Sequence, residues 1–285
     1  MGSHTIEVNM SIYGIYGYNI TNVTDFSFGK ITPIHSSAHR LFYLMRDTQK
    51  LHLTSFLEID TEFKSQERKI IFQLENTLTF IEQRPVIIKN KLREHEAIST
   101  LDSDYPSCLS SETPLPNPAN IITENDSKVK LIEGAFQKLI INTDDYLSKV
   151  MHKNIMVFSN PINYIDISYY LLFSGLESIA RQRLMDMDSN TNIVIANYLQ
   201  GFGFNVNADN VKNEARSIQT YCHLRNALFH NGEFQTKPIN INGKTTIYKL
   251  EDYYPLLRRL NYLTILKELG INSKNINWDY VNYRN

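Results

Sequence analysis

The stretch YCHLRNALFHNG at residues 221–232 combines one arginine, two histidines and two asparagines with apolar residues. On a helical wheel Arg225 falls within the apolar arc, whereas another arc gathers the polar side chains of His223, Asn226 and His230. An arginine on an apolar face needs an anionic partner, because an unpaired buried charge is costly. Beside such an arginine, a histidine can transfer a proton while the guanidinium holds a phosphate group.

The carboxylate of Glu177 is the candidate partner for this arginine. Glu177 is the only charged residue in the apolar segment ISYYLLFSGLESIA, residues 167–180, and a lone carboxylate on a buried helix is itself costly unless it is paired. One interpretation is a structural salt bridge between Glu177 and Arg225 that only joins two packed helices. The other is a functional site in which Glu177 orients Arg225, and the residue types alone leave both open.

His230 also has two interpretations. The following Asn231-Gly232 is a C-terminal signal, so the histidine is predicted to lie in the last turn of its helix. A histidine in that position can interact with the terminal carbonyl groups and have no further role. It can also act as a general acid or base in a reaction on a substrate held nearby.

The spacing of these residues adds a further indication. Residues 225–230, RNALFH, are an arginine, four residues and a histidine, with an asparagine directly after the arginine. This pattern resembles the signature of the HEPN superfamily of ribonucleases, in which a histidine follows the arginine after four to six residues. The segment LRNALFHNG is most similar to the Apea-like HEPN branch, and FSGLESIA is similar to an earlier helix of that branch. The resemblance covers roughly residues 129–285.

The resemblance implies a helical bundle that pairs as a two-fold homodimer and cleaves single-stranded RNA or tRNA without a metal ion. The ribose 2′-hydroxyl attacks the adjacent phosphate, which leaves a 2′,3′-cyclic phosphate and a 5′-hydroxyl. In such an enzyme His230 is the general acid or base and Arg225 stabilises charge on the phosphate. Asn226 holds the site or the phosphate, and Glu177 orients the arginine. By its position, His223 is a candidate substrate-binding residue on the His230 side of the helix.

The biological role that the resemblance implies is that of a toxin or an antiviral defence effector. Superfamily toxins that are neutralised by a nucleotidyltransferase antitoxin usually have a tyrosine two residues after the histidine, where this chain has Gly232. Control by adenylylation of such a tyrosine is therefore not expected, and the regulator or antitoxin stays open. The alternative class is a non-catalytic HEPN-like scaffold that binds RNA or a protein partner, in which Arg225 and His230 are structural.

The helices that must position these residues belong to a chain whose two halves differ in composition and in the periodicity of their apolar residues. Residues 5–101 mix extended runs such as IEVNMSIYGIYGYNI with helical patterns, which predicts a strand-rich N-terminal domain with a sensor or regulatory role. Residues 102–128 contain four prolines and many Ser, Asn and Asp, and are interpreted as a linker. Residues 129–285 are predicted to be a helical bundle with a small hairpin around Asn242-Gly243. The predicted fold class is α+β.

The composition limits the classes of function. The formal net charge is -1, so binding of RNA has to use a local basic patch rather than a global field. The 2 cysteines provide neither a disulfide framework nor a metal knuckle, which favours a cytoplasmic location. No apolar run reaches the length of about 18 residues that a membrane span requires, so no membrane association is expected.

Two segments superficially resemble metal sites. His35 and His39 stand four residues apart, as ligands on one helix face do, but no acidic or cysteine partner lies nearby in the sequence. Residues 186–192 begin like a calcium-binding loop and lack its glycine and its closing glutamate. We therefore expect neither a metal ion nor a cofactor.

Overall fold

The computed structural model describes residues 10–44, 50–92, 96, 98–106, 125–159, 164–210, 212–241 and 243–282. The chain divides into two compact units, Met1–Asn142 and Thr143–Asn285. The first unit contains an antiparallel sheet, and the second consists mainly of helices. The predicted α+β class is therefore confirmed.

An antiparallel sheet organises the described part of the first unit. Its strand order is β2-β3-β4-β1-β5, and β6 pairs with the first residues of β4. Gly29 is required at the start of β3, where φ is +148° and a Cβ atom would lie 2.0 Å from the carbonyl oxygen of Glu58. The strands are β1 Ser11–Tyr16, β2 Thr24–Phe26, β3 Gly29–Pro33, β4 Lys50–Ile59, β5 Ile87–Lys89 and β6 Asp104–Pro106.

Three helices accompany this sheet in the described residues. They are α1 Ala38–Leu44, α2 Glu67–Glu82 and α3 Asn125–Ala135, the last continued by a π-helical turn at Phe136–Ile141. α3 contacts α2 and β2, and the ring of Phe136 lies 4.9 Å from that of Phe28. Most of α3 lies within residues 129–285, which the sequence predicts to be the C-terminal helical domain. Helical periodicity shows that one face needs burial, but it does not identify the surface that buries it.

The interval 102–128, interpreted as a linker, contributes at both ends to elements of the first unit. β6 pairs with β4 at one end and α3 begins at Asn125 at the other, while residues 107–124 lie outside the described residues. The division between the units instead falls between Asn142 and Thr143, directly after the π-helical turn. The proline-rich composition therefore did not mark the boundary between the compact units.

Five helices form the described part of the second unit. α5, Ile165–Leu184, is central, because it contacts each of the other four helices, and its buried residues lie along one face between Ser168 and Ala180. Its nearly continuous apolar sequence predicted this position. The expected hairpin is present, with β7 Ile239–Ile241 antiparallel to β8 Lys244–Thr246. The helices are α4 Asp145–Ser159, α5 Ile165–Leu184, α6 Thr191–Gly201, α7 Ile218–Asn231 and α8 Leu250–Glu268.

The helix that carries the candidate site, α7, is held at both ends and in its middle. Before its first turn, Arg216 donates two hydrogen bonds to the carboxylate of Asp279, at 2.9 and 2.7 Å. In the middle, the hydroxyl of Tyr169 on α5 donates to the carbonyl of Tyr221 at 2.9 Å. At its end, Gly232 adopts φ +67° and its N–H donates to the carbonyl of Leu228. The C-terminal signal after His230 is thus confirmed.

The described helices lack the properties of membrane spans. None of them combines the length and the apolar character that crossing a bilayer requires. Even α5, with 20 residues, has charged residues in its first and last turns, among them Asp166, Arg181 and Arg183. Its apolar character is accounted for by burial among the other four helices.

Candidate functional site

Arg225 lies where α7 packs against α5. Its guanidinium carbon is 5.3 Å from the ring centroid of Phe173, which is the geometry of a cation–π contact. Its Nε is buried and donates no hydrogen bond to any described residue. The side chain as a whole is half-buried, so part of it faces solvent. Within the described chain the arginine is therefore positioned by stacking and not by a carboxylate.

The expected ion pair between Glu177 and Arg225 is wrong for the described protomer. Oε1 of Glu177 accepts hydrogen bonds from Nε and Nη2 of Arg181, at 3.1 and 3.0 Å, and from the hydroxyl of Thr191 at 2.9 Å. No ion pair in the described part of the chain joins Glu177 to Arg225. Arg181 is four residues from Glu177 on the same helix, a spacing that favours such a pair. This signal was present in the sequence and was missed.

Arg181 also explains the segment that begins like a calcium loop. Its Nη1 donates to the carbonyl oxygens of Asp186, Met187 and Ser189, at 3.4, 3.2 and 3.1 Å. The guanidinium therefore stands where carbonyl oxygens converge, a position that a cation would otherwise favour. No cluster of three or more metal-ligating side chains occurs among the residues described.

The pKa of the Cys222 thiol depends on charges near the contact between α5 and α7. Burial raises the pKa of its thiol to about 12, the positive charge of Arg225 opposes this increase, and the negative charge of Glu177 adds to it. Both charges thus lie within electrostatic reach of one buried thiol, although they do not pair with each other. At neutral pH the thiol is protonated, which excludes it as a nucleophile in this state.

His230 and Asn226 lie on the exposed part of α7. Both side chains are exposed, and His230 occupies the last turn, next to the left-handed Gly232. His230 lies five positions after Arg225, which corresponds to roughly 140° around the helix axis and about 7.5 Å along it. One helix therefore presents the arginine and the histidine in different directions, with Asn226 between them. A ligand that contacts all three has to reach around the end of α7.

His223 has a more enclosed position than His230. The amide nitrogen of Gln219 lies 3.2 Å from its Nε2, and the ring of Tyr248 stacks at 6.5 Å between centroids. Burial lowers the pKa of this imidazole, and the carboxylate of Asp209 opposes that effect. His223 is thus kept largely neutral at pH 7 and is only half accessible, whereas His230 is exposed.

Three exposed apolar side chains form what we call the aromatic surface beside Arg225. Tyr170 on α5 and Phe229 on α7 are each 46% exposed, and their ring centroids are 4.7 Å apart. Ile167, one turn before Tyr170, is 51% exposed. The sequence alone does not distinguish these exposed apolar side chains from the buried ones on the same helices. Clusters of exposed apolar side chains on one face are typical of interaction sites.

A second cation reaches the same turn of α5 from α4. Nζ of Lys153 donates a hydrogen bond to the hydroxyl of Ser174 at 3.0 Å, and burial lowers the pKa of the lysine. The stem of the lysine passes over Gly175, where a Cβ atom would lie 3.4 Å from Cδ of the lysine, an ordinary van der Waals contact. Ser174 directly follows Phe173, the residue beneath Arg225. Two basic side chains therefore contact consecutive residues of α5, and neither residue of the second contact was identified from the sequence.

The arrangement can bind an anion and move a proton. Arg225 supplies positive charge, the charge of Glu177 is compensated by Arg181, and His230 is an accessible imidazole. A guanidinium that can hold a phosphate and an imidazole that can transfer a proton are groups that a reaction on a phosphodiester uses. Searches against protein-family models, curated proteins and solved structures found no match for this chain.

Proposed function

We propose that this chain is a metal-independent endoribonuclease of the HEPN type that acts as a homodimer. The observation that carries the proposal is Arg225, which is stacked on Phe173 and has no carboxylate partner among the described residues. A half-buried guanidinium in that state retains its capacity to bind a phosphate through two hydrogen bonds. The family resemblance at residues 225–230 supplies the chemistry assigned to it.

The proposed reaction uses proton transfer and charge stabilisation alone. The 2′-hydroxyl loses its proton to a base as its oxygen bonds to phosphorus, and the bond from phosphorus to the 5′-oxygen breaks. The leaving 5′-oxygen takes a proton, so the products are a 2′,3′-cyclic phosphate and a 5′-hydroxyl. His230 is assigned one of the two proton transfers, and Arg225 stabilises the phosphate as charge develops on it. Asn226 is assigned a hydrogen bond to the phosphate, and His223 a contact with the substrate.

The basic character needed for an RNA substrate is local. The formal net charge of the chain is only -1, so the attraction has to come from side chains at the site. Arg225 supplies it, and Arg181 offsets the charge of Glu177. In this proposal Glu177 acts through the loop after α5 that it holds together with Arg181, rather than by direct contact with Arg225.

A homodimer would explain two features of α5 and α7 that a single protomer does not explain. Arg225 and His230 point in directions about 140° apart, so residues of two copies are needed to surround one phosphate closely. The aromatic surface beside Arg225, formed by Ile167, Tyr170 and Phe229, is exposed in one protomer and would be covered by a second copy. In this arrangement the two α7 helices lie near the two-fold axis and share one cleft.

The biological role that fits this chemistry is a toxin or antiviral effector whose first unit regulates the nuclease. This role follows from the resemblance and from the hazard that an unrestrained ribonuclease presents to a cell. A reducing cytoplasm, in which RNA substrates are present, is the proposed location. A free thiol at Cys222 is consistent with that assignment.

Cleavage of labelled single-stranded RNA and tRNA in the presence of EDTA tests the proposal. We expect wild-type protein to yield products with 2′,3′-cyclic phosphate ends, and Arg225→Ala and His230→Ala to lower the rate by at least about 100-fold. Matched controls are His152→Ala, on an exposed position of α4, and Arg258→Ala, which removes an arginine stacked on Phe158 at 4.9 Å. Both controls should retain activity.

Two outcomes would contradict the proposal. Cleavage that proceeds equally well in both site variants excludes their assigned roles, and RNA binding without cleavage favours the scaffold function instead. Sedimentation tests the dimer separately, with Phe229→Asp expected to shift the protein to a monomer because it places a charge in the aromatic surface. A wild-type protein that is monomeric at all concentrations would exclude the shared cleft.

A further inference from the structure

An open cleft in the first unit lies between α1 and the start of β4, and the proposed nuclease does not use it. Its volume is about 480 Å³, and its lining consists of His39, Arg40, Tyr43, Leu44 and His52. Four of these five side chains are aromatic or carry hydrogen-bonding nitrogens. A cleft of this size is within the range of small-molecule sites.

The cleft has a positive rim. On one side, Asp104 is compensated, because Nζ of Lys50 lies 3.2 Å from its Oδ2 and Nδ1 of His52 lies 2.7 Å from its Oδ1. The hydrogen bond from Lys50, followed by that from His52, lowers the pKa of this carboxyl group. On the other side, Arg40 is exposed and forms no ion pair with any residue that the structure describes. Among the described residues, the charge at the cleft that has no carboxylate partner is therefore the guanidinium of Arg40, which favours an anionic ligand.

The same cleft presents an aromatic face. Tyr43 is 54% exposed, an unusual state for a large aromatic side chain that follows the buried Leu41 on a short helix. The ring of His39 meets it edge-on, at 4.6 Å between centroids, and thereby restricts its orientation. An exposed ring held by a neighbour is suited to stacking against a planar heterocycle.

We propose that this cleft binds a 5′-mononucleotide. Arg40 holds the phosphate, with His39 and His52 as further donors, and the base stacks on Tyr43. A phosphate without a base satisfies only the positive rim, and a nucleoside without a phosphate satisfies only the aromatic face. The site lies in the first unit and does not involve residues 225–230. Binding of a mononucleotide there is therefore a property beyond the proposed nuclease, and it can be tested independently of nuclease activity.

Calorimetric titration of the full chain with the four ribonucleoside 5′-monophosphates tests this site in the absence of RNA. At least one of them is expected to bind. If AMP binds, adenosine, which lacks the phosphate, and ribose 5-phosphate, which lacks the base, should each bind at least about tenfold more weakly than AMP. Arg40→Ala and Tyr43→Ala should each weaken binding by about tenfold or more. Both side chains are exposed, so we expect both variants to fold.

The matched control is Arg68→Ala, which removes an exposed arginine from α2 and leaves the cleft lining intact. Its affinity should equal that of the wild type. The proposal is overturned if none of the four nucleotides binds, or if Arg40→Ala and Arg68→Ala bind alike. It is also overturned if ribose 5-phosphate binds as tightly as the best nucleotide, since the aromatic face then contributes nothing.

Discussion

Two arginines of the helical unit have opposite surroundings. Arg183, near the end of α5, donates to both carboxylate oxygens of Glu268 at 3.2 and 3.0 Å and also pairs with Asp144. The hydroxyl of Tyr198 donates to the same glutamate at 2.8 Å. These hydrogen bonds and carboxylates raise the pKa of Arg183, against the effect of burial. The positive charge of Arg183 is therefore fully used within the fold.

Arg225, on α7, is held by a ring instead of by carboxylates. Its guanidinium stacks on Phe173, its Nε is buried without a hydrogen bond, and no ion pair with a described residue compensates its charge. A fold gains stability when it pairs a buried charge, so an arginine left unpaired is an informative exception. The comparison teaches that, among the described residues, Arg183 joins helices through its carboxylate partners, whereas Arg225 keeps its charge available to an external anion.

The largest effect on stability is expected from Glu268→Ala, which breaks the network around Arg183. Glu268 is 5% exposed, so its loss leaves a guanidinium and a tyrosine hydroxyl without their main acceptor. We expect the free energy of unfolding to fall by about 3–5 kcal/mol. Urea denaturation measures this change, with Glu251→Ala as the matched control because that carboxylate on α8 is 72% exposed. Equal stabilities of the two variants would remove the contrast between the arginines.

A smaller loss is expected from Arg225→Ala, because the side chain contributes one stacking contact. The free energy of unfolding should fall by about 0.5–2 kcal/mol. A double-mutant cycle with Phe173→Leu isolates that contact and should give a coupling energy of about 0.5–1 kcal/mol. A loss of about 3–5 kcal/mol would instead indicate that Arg225 is paired with a buried carboxylate, as the sequence alone had suggested for Glu177.

The smallest expected effect is on the pH dependence of stability. It tests whether His223, which is partly buried, differs from the exposed His230, as the paired Arg183 differs from Arg225. Burial lowers the pKa of His223 below its ordinary 6.5, so below that pH the unfolded chain takes up a proton that the folded chain resists. Stability should therefore fall as the pH decreases from 6.5, and His223→Gln should lose less stability over the same range. Urea midpoints at pH 7.5 and pH 5.5 measure the difference, and parallel losses in the two proteins would exclude the assigned burial effect.

Parts of the fold were predictable because they depend on neighbours in the chain. Gly232 ended α7 as expected, since a residue that adopts positive φ without strain is what a helix terminus requires. The hairpin after α7 and the central position of α5 followed from turn chemistry and from a nearly continuous apolar sequence. In the first unit, the segment RKIIFQLENTLTFIEQ, residues 68–83, is compatible with a strand or a helix by its sequence, and the structure forms α2 there. A short apolar run satisfies both periodicities until its partners are known.

The candidate site was predictable in its residue types and not in its contacts. Arg225, Asn226 and His230 were identified from their order, and their helix and its end are as expected. The partner of Glu177 was mistaken, because two arginines competed for one carboxylate and only the folded geometry brings one within reach. The exposure of Phe229 and Tyr170 was not predictable, since periodicity does not reveal which apolar residues lack a covering element.

By itself, the sequence determined the α+β class, the course of α5 and α7, and an arginine and a histidine five residues apart at a helix end. These properties depend on backbone preferences and on contacts within a few residues. Only the tertiary structure decided that α3 belongs to the first unit, that Arg181 pairs with Glu177, and that Arg225 rests on a phenylalanine. Those outcomes depend on which distant surfaces meet, because burial and ion pairing select among several partners that the chain offers equally.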